Sequence, residues 1–276
     1  MGATKVKIFK YLAFSALLAI SVSGAHAQDF DKGLAAYNAG DYQTTLTEFL
    51  LLAESGDARA QYVIGRMHLF GEGVIQNDVE AVKWYRLAAD SGFDLAQYEF
   101  GVLYAEGRHV IQSDVEAIKW YRLAANQGFA AAQFNVGFGY SNGKGVIQSD
   151  VEAIKWYRLA ANQGFAAAQF AVGLGYSNGK GVIQNYIEAR KWFRLAADQG
   201  EANAQLNLGG LYAQGNGVIQ NNVMAHMWFN IASANGQEYA ALFRDFVAAK
   251  MTREEIAIAQ AMAQECISSD YKNCGD

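Results

Sequence analysis

The sequence predicts an all-α fold, a right-handed α/α solenoid superhelix, and three observations predict it. All five tryptophans, Trp84, Trp120, Trp156, Trp192 and Trp228, lie 36 residues apart, a fixed period of the kind that marks stacked structural repeats. The 276 residues include 28 glycines and no proline, where average usage would supply about 14 prolines. Helices joined by glycine turns fit that composition. Within each period apolar residues recur at helical spacing, as in Ala153, Trp156, Tyr157 and Ala160, which is a buried helix stripe rather than a ladder of sugar- or ligand-stacking platforms.

The elements follow in order. Residues 1–27 read as a signal peptide: Lys5, Lys7 and Lys10 precede an apolar stretch too short to span a bilayer, and Ala25-His26-Ala27 fits a small-x-small cleavage site. Cleavage after Ala27 predicts a periplasmic or secreted protein. No cysteine lies near the cut, which argues against a lipid anchor. Loss of those lysines takes the net charge from -5 to -8, so neither nucleic acid nor an anionic membrane is an expected partner. With 52% hydrophobic and 18% charged residues the chain is not disordered, and no apolar run reaches the roughly 18 residues of a membrane span.

Residues 28–57 are expected to form an N-terminal capping helix pair, and 58–237 five 36-residue units. Gln61, Gln97, Gln133, Gln169 and Gln205 keep the period, as do Gly65, Gly101, Gly137, Gly173 and Gly209 and the closing glycines Gly92, Gly128, Gly164, Gly200 and Gly236. The string VIQSDVEAIKWYRLAANQGFAAAQF fills 110–134 and again 146–170. In the third unit a first helix carries Ala132, Val136 and Tyr140, and the run 141–145 breaks it. Ser149 with Glu152 predicts a capping box that starts the second helix, and Ser113 with Glu116 repeats it. Asn77 and Asn185 offer weaker versions. Asn221 with Met224 lacks the carboxylate, so the second helix of the last unit is expected to be the least well capped. Gly164 should end a helix in the left-handed conformation with Phe165 folding back. The periodic glycine of the first helix, Gly137 here, is expected to let the tryptophan ring approach the backbone.

Residues 238–276 are expected to be a C-terminal helical cap, over about 238–268, and a tail. On one continuous helix Cys266 and Cys274 would stand about 12 Å apart, beyond disulfide reach. A break at 268–270 and an oxidising compartment predict a disulfide between them, with two free thiols as the alternative.

The unit AxAQxxxGxxYxxGxGVxQxxxEAxxWYRLAAxQG, as in 166–200 or 202–236, resembles the Sel-1-like repeat, a tetratricopeptide-related α/α unit. Residues 33–42 resemble a tetratricopeptide helix pair. Thr45 stands where that pattern has alanine, which predicts looser packing. His68 replaces a tyrosine, and His109 replaces the glycine found at Gly73, Gly145, Gly181 and Gly217, which is expected to distort one loop. The resemblance implies an adaptor that binds a protein or peptide partner, with the first helix of each unit lining a concave side.

Comparison among the units locates a candidate surface on that helix. Position two reads Arg59, Leu95, Ala131, Ala167 and Asn203; position six Val63, Glu99, Asn135, Ala171 and Asn207; position nine Arg66, Val102, Phe138, Leu174 and Gly210. These positions share one stripe, with an apolar centre and a polar rim as protein-binding patches have. Packing between neighbouring units is the alternative account of the same residues. A monomer is expected.

No enzyme, metal or cofactor is predicted. Ser141 with Lys144 and Ser177 with Lys180 match S-x-x-K, the nucleophile motif of penicillin-recognising enzymes, and cysteine-rich relatives of the repeat are linked to β-lactam chemistry. Here K-T-G is absent and Ser149-Asp150-Val151 lacks the asparagine of S-D-N. A β-lactam-acting or other hydrolase is therefore the alternative to a binding scaffold. The four histidines are scattered, with no ligand spacing.

Overall fold

The computed structural model describes residues 25–275; positions 1–24 of the expected signal segment, and residue 276, lie outside the described residues. Among the described residues there are fourteen helices and no strand. The chain divides into two compact units, Met1–Phe93 and Asp94–Asp276. The first holds α1 (Ala25–Asn38), α2 (Tyr42–Glu54), α3 (Ala58–Phe70) and α4 (Asp78–Asp90). The second holds α5 (Asp94–Glu106), α6 (Asp114–Asn126), α7 (Ala130–Asn142), α8 (Asp150–Asn162), α9 (Ala166–Asn178), α10 (Tyr186–Ala197), α11 (Ala202–Gln214), α12 (Asn222–Ala234), α13 (Ala240–Ala248) and α14 (Arg253–Ser268). In each unit consecutive helices up to α12 pack as pairs and each pair packs on the next, and α13 and α14 both pack on α12.

The turns explain the helix lengths. Gly143 (φ 67°) ends α7 in the left-handed conformation, Gly145 (φ 68°) turns the chain again, and the Ser149 N–H donates back to the Tyr140 carbonyl at 2.9 Å. Gly164 (φ 87°) closes α8, and the Phe165 N–H donates to the Ala160 carbonyl at 3.2 Å, a Schellman pattern that uses an otherwise free carbonyl. Phe165 does fold back, packing against the repeat core with its ring 5.4 Å from that of Phe134.

Four expectations are corrected. First, the boxes at Ser113 and Ser149 are half boxes. Each hydroxyl accepts from the Glu116 or Glu152 N–H at 3.2 and 3.3 Å, but the carboxylates turn outward to Lys119 and Lys155. Asn221 accepts from the Met224 N–H at 3.0 Å, so α12 is capped as well as α6 and α8, and Met224 is free to enter the core. A complete box forms at Thr252 and Glu255 instead. Second, the ring on the periodic glycine is not tryptophan but the residue after it. A Cβ on Gly137 would lie 2.7 Å from the Tyr157 ring, and Gly101 and Gly209 stand in the same relation to Tyr121 and Phe229. Trp156 and Trp192 are half-buried and pack against the preceding repeat's core, whereas Trp228 is fully buried.

Third, His109 adopts φ 62°, the conformation of the glycines it replaces, and the Ser113 N–H still reaches the Tyr104 carbonyl at 2.9 Å. The loop keeps its form, with the strain confined to one residue. Fourth, Thr45 is fully buried and its hydroxyl donates to the Asp41 carbonyl at 2.8 Å. Burial of a satisfied hydroxyl replaces the looser packing expected there.

Candidate functional site

The periodic glutamines hold each first helix in place. Gln133 is buried on α7; its Nε2 donates to the Ala125 carbonyl at the end of α6 (3.1 Å), and its Oε1 accepts from Gln163 on the following helix (2.8 Å). Gln169 repeats this with Ala161 and Gln199, and Gln205 with Ala197 and Asn235. One buried amide thus joins three helices and satisfies a free helix-end carbonyl. The surface of the first helices is presented on a fixed frame.

The candidate stripe divides on that frame. In the first unit it is not an open surface: Val63 is 1% exposed, the Arg59 guanidinium lies 4.0 Å from the centre of the Phe30 ring, and Arg66 lies 5.9 Å from that of Tyr37. The aromatic residues of α1 occupy that side of α3. Arg59 is further held by Asp57 at 2.8 Å; burial pulls the Asp57 carboxyl upward, but Arg59 and the helix N–H groups keep it below its ordinary range.

In the second unit Val102 and Ala131 pack against one repeat core, Ala171 against the next, and Leu174 against the last. Asn135 hydrogen-bonds Tyr98 and Tyr121, and burial pushes the Tyr98 phenol up to about 12. Leu95, Glu99 and Ala167 are half-buried, and Asn203 and Phe138 are exposed, Phe138 at 43%.

The remaining stripe residues, Asn207 and Gly210, enter a cleft of about 900 Å³ whose other wall is α13. Ala240 and Val247 bury one face of α13, and Phe243 stacks on Phe229 at 5.8 Å. Leu242 and Phe246 are left 66% and 63% exposed on the cleft side. A Cβ on Gly210 would meet nothing within 4 Å, so the floor is low there. Side-chain amides of Asn178, Gln214 and Asn222 stand around these apolar groups, Lys250 is the one charged residue in the lining, and no carboxylate lines it. Apolar contact area with amide donors and acceptors around it suits a polypeptide. Leu242, Phe243 and Phe246 were missed by repeat comparison because α13 lies beyond the last period; their i, i+1, i+4 spacing is the signal that marks them.

Of the two S-x-x-K serines, the Ser141 side chain supports the fold and Ser177 lies in the cleft lining. Ser141 hydrogen-bonds the buried Tyr157 hydroxyl, Lys144 lies over the Phe138 ring at 5.7 Å, and the Ser177 carbonyl accepts from Gln184 at 2.8 Å. Cys266 and Cys274 form a disulfide with Cα atoms 4.4 Å apart. Among the described residues no helix is long and apolar enough to cross a membrane.

Repeated helix pairs locked by buried amides define an α/α repeat protein. The Sel1 repeat model matches residues 58–93, 94–129, 130–165, 166–201 and 202–237, so the chain belongs to the Sel1 repeat family. Among solved structures it is similar to a Sel1 repeat protein from Oxalobacter formigenes, at 30% identity and a TM-score of 0.73 over 84% of this chain and 96% of that one. It is also similar to c5321, a protective antigen of uropathogenic Escherichia coli with the same fold, at 26% identity and a TM-score of 0.60 over 90% of this chain and 63% of that one. No similar sequence was found among curated proteins.

Proposed function

We propose that the protein is an exported scaffold that binds a polypeptide partner on the side of its first helices, with the cleft between α11 and α13 as the principal contact. The carrying observation is the exposed Leu242, Phe243 and Phe246 set around a cleft floored by Asn207 and Gly210. Large apolar groups left in water on a rigid frame are the usual mark of a binding surface. Sel1 repeats generally serve as protein-interaction scaffolds. Phe138 and the rim residue Asn203 extend the contact along the array. Export is supported by the signal-type segment 1–27 and by the Cys266–Cys274 disulfide, a bond that persists in oxidising compartments. The similarity to a protective antigen agrees with a location outside the cytoplasm.

The test is in-compartment crosslinking of the tagged mature protein beside the variant Leu242→Asp with Phe246→Asp. Both side chains are mostly exposed, so the variant should keep the melting temperature of the parent and lose the crosslinked partner. Retention of the same partner by the variant would remove the cleft from the proposal, and recovery of the tagged protein from the cytoplasm with its signal segment intact would remove export.

A further inference from the structure

The tripeptide Val-Ile-Gln occurs in every repeat, at 74–76, 110–112, 146–148, 182–184 and 218–220, and the fold uses only two of its members. The valines are half-buried, Val146 and Val218 packing against repeat cores. The glutamine closes the end of the first helix: Gln112, Gln148 and Gln220 donate to the carbonyls of Ala105, Ser141 and Ala213 at 2.9, 3.0 and 2.9 Å. The isoleucine between them is 91% exposed at Ile75, Ile111, Ile147 and Ile183 and 88% at Ile219. Duplication alone does not account for its retention, since the same repeats have diverged to Phe138, Leu174 and Gly210 on the first helix.

Within the unit Asp94–Asp276 four of these isoleucines belong to loops that stack directly. Gly145 lies against the Asp114 backbone, Gly181 against that of Asp150, and Gly217 against that of Tyr186. They therefore form one row, at about the 10 Å spacing of packed helices. Four residues beyond each of three of them stand Val115, Val151 and Ile187, exposed by 53%, 54% and 53%. Seven such side chains, on the order of 100 Å² each, give roughly 700 Å², near the ~800 Å² per partner of a standard interface.

We propose that this edge is a self-association surface on which a second copy of the chain docks about a two-fold axis, Ile147 of one copy beside Ile183 of the other. A partner that sets an apolar group opposite every isoleucine must share the 36-residue period, and a second copy does. The charges along the edge balance: Lys144 and Lys180 are matched in number by Asp114 and Asp150, and Glu116, Glu152 and Glu188 are paired to Lys119, Lys155 and Lys191. That balance leaves no net positive field for an anionic lipid surface. The proposed dimer departs from the monomer expected from the sequence, and its edge adjoins the cleft at α13, which Gln184 and Tyr186 also line.

Sedimentation equilibrium of the mature chain, over a wide concentration range, should show the mass rising from one chain to two. Ile147→Asn with Ile183→Asn should weaken association by more than about tenfold while the melting temperature and helical circular dichroism hold. The pair Val151→Asn with Ile187→Asn removes two further apolar side chains of the same edge and should weaken it as well. A monomer at all concentrations overturns the proposal, as does a dimer that tolerates both variants. Monomeric protein that co-sediments with phosphatidylglycerol vesicles, and ceases to when the isoleucines are replaced, overturns it in favour of a membrane surface.

Discussion

Ser91 stands in relation to Gln61 as Gln163 stands to Gln133, thirty residues on, but its hydroxyl does not reach. The Gln61 Oε1 is buried without a hydrogen bond, although its Nε2 donates to the Ala53 carbonyl at 3.1 Å. Ser91→Gln should restore the missing donor and stabilise the protein by about 1 kcal/mol, the usual worth of a satisfied buried group. The reverse change, Gln163→Ser, should cost a similar amount. Urea denaturation of the pair, compared with the parent, checks both signs.

Two glycines of the first helices should respond to alanine in opposite directions. At Gly137 a Cβ would stand 2.7 Å from the Tyr157 ring, with the Ala153 carbonyl at 3.2 Å. Overpacking of about 1–3 kcal/mol exceeds the gain in helix propensity of about 1 kcal/mol, so Gly137→Ala should destabilise. At Gly210 nothing lies within 4 Å, and Gly210→Ala should stabilise by roughly 0.5–1 kcal/mol. Thermal unfolding of the two single variants separates them.

Much of this was legible in the sequence because it recurs. The 36-residue spacing of the tryptophans, the left-handed Gly164 and the serine caps each appear several times, and repetition distinguishes a structural requirement from chance. What recurrence does not resolve is direction around the helix. Trp156 and Tyr157 both fit the buried stripe, and only packing decides that Tyr157 meets Gly137 while Trp156 leans on the preceding core. Nor does it show occupancy by a neighbour: Val63 reads as a stripe residue yet is covered, because α1 precedes the first repeat and brings Phe30 and Tyr37 to that side. The α13 face and its cleft escaped the comparison of repeats for the opposite reason, since residues 240–248 occur once and have no counterpart to be compared with.

His226 gives the protein an acid-sensitive point. It is 2% exposed on α12 with Nδ1 unpartnered, and burial first, then the Arg244 guanidinium, hold its pKa below the ordinary histidine value, Asp245 opposing in part. The unfolded chain therefore takes up this proton at a higher pH than the folded one. Stability contributed by the neutral ring is complete above the unfolded value of about 6.5 and declines as pH falls from there toward the depressed folded value, by up to about 1.4 kcal/mol per pH unit. Melting temperatures should be flat above neutrality and fall between pH 6.5 and 5, and His226→Gln should flatten that fall. An unchanged slope in the variant would assign the acid sensitivity to other groups.

The last prediction concerns the tail. Beyond α14 the chain turns through Asp270 (φ 55°) and Tyr271 (φ 62°), and the Cys266–Cys274 bond returns it to the helix. The returned segment covers the end of the array: the Tyr271 hydroxyl donates to Asn235 Oδ1 at 2.9 Å, its ring lies over Gly200, and the Gly275 carbonyl accepts from Arg194 at 2.7 Å. Asn235 is also the donor to Gln205, so Tyr271 ends the series of amide contacts that runs through the repeats. Closing a loop of eight residues is worth about 2.5 kcal/mol in the chain-entropy account. In a chain of this size that corresponds to roughly 5–10 °C in melting temperature. Reduction with dithiothreitol should therefore lower the melting temperature by that amount, and Cys266→Ser with Cys274→Ser should match the reduced parent and be indifferent to reductant. Tyr271→Phe should cost about 1 kcal/mol with the disulfide intact, by removing the donor to Asn235. If reductant leaves calorimetric melting unchanged, the clip contributes nothing and the tail is held by Tyr271 and Gly275 alone.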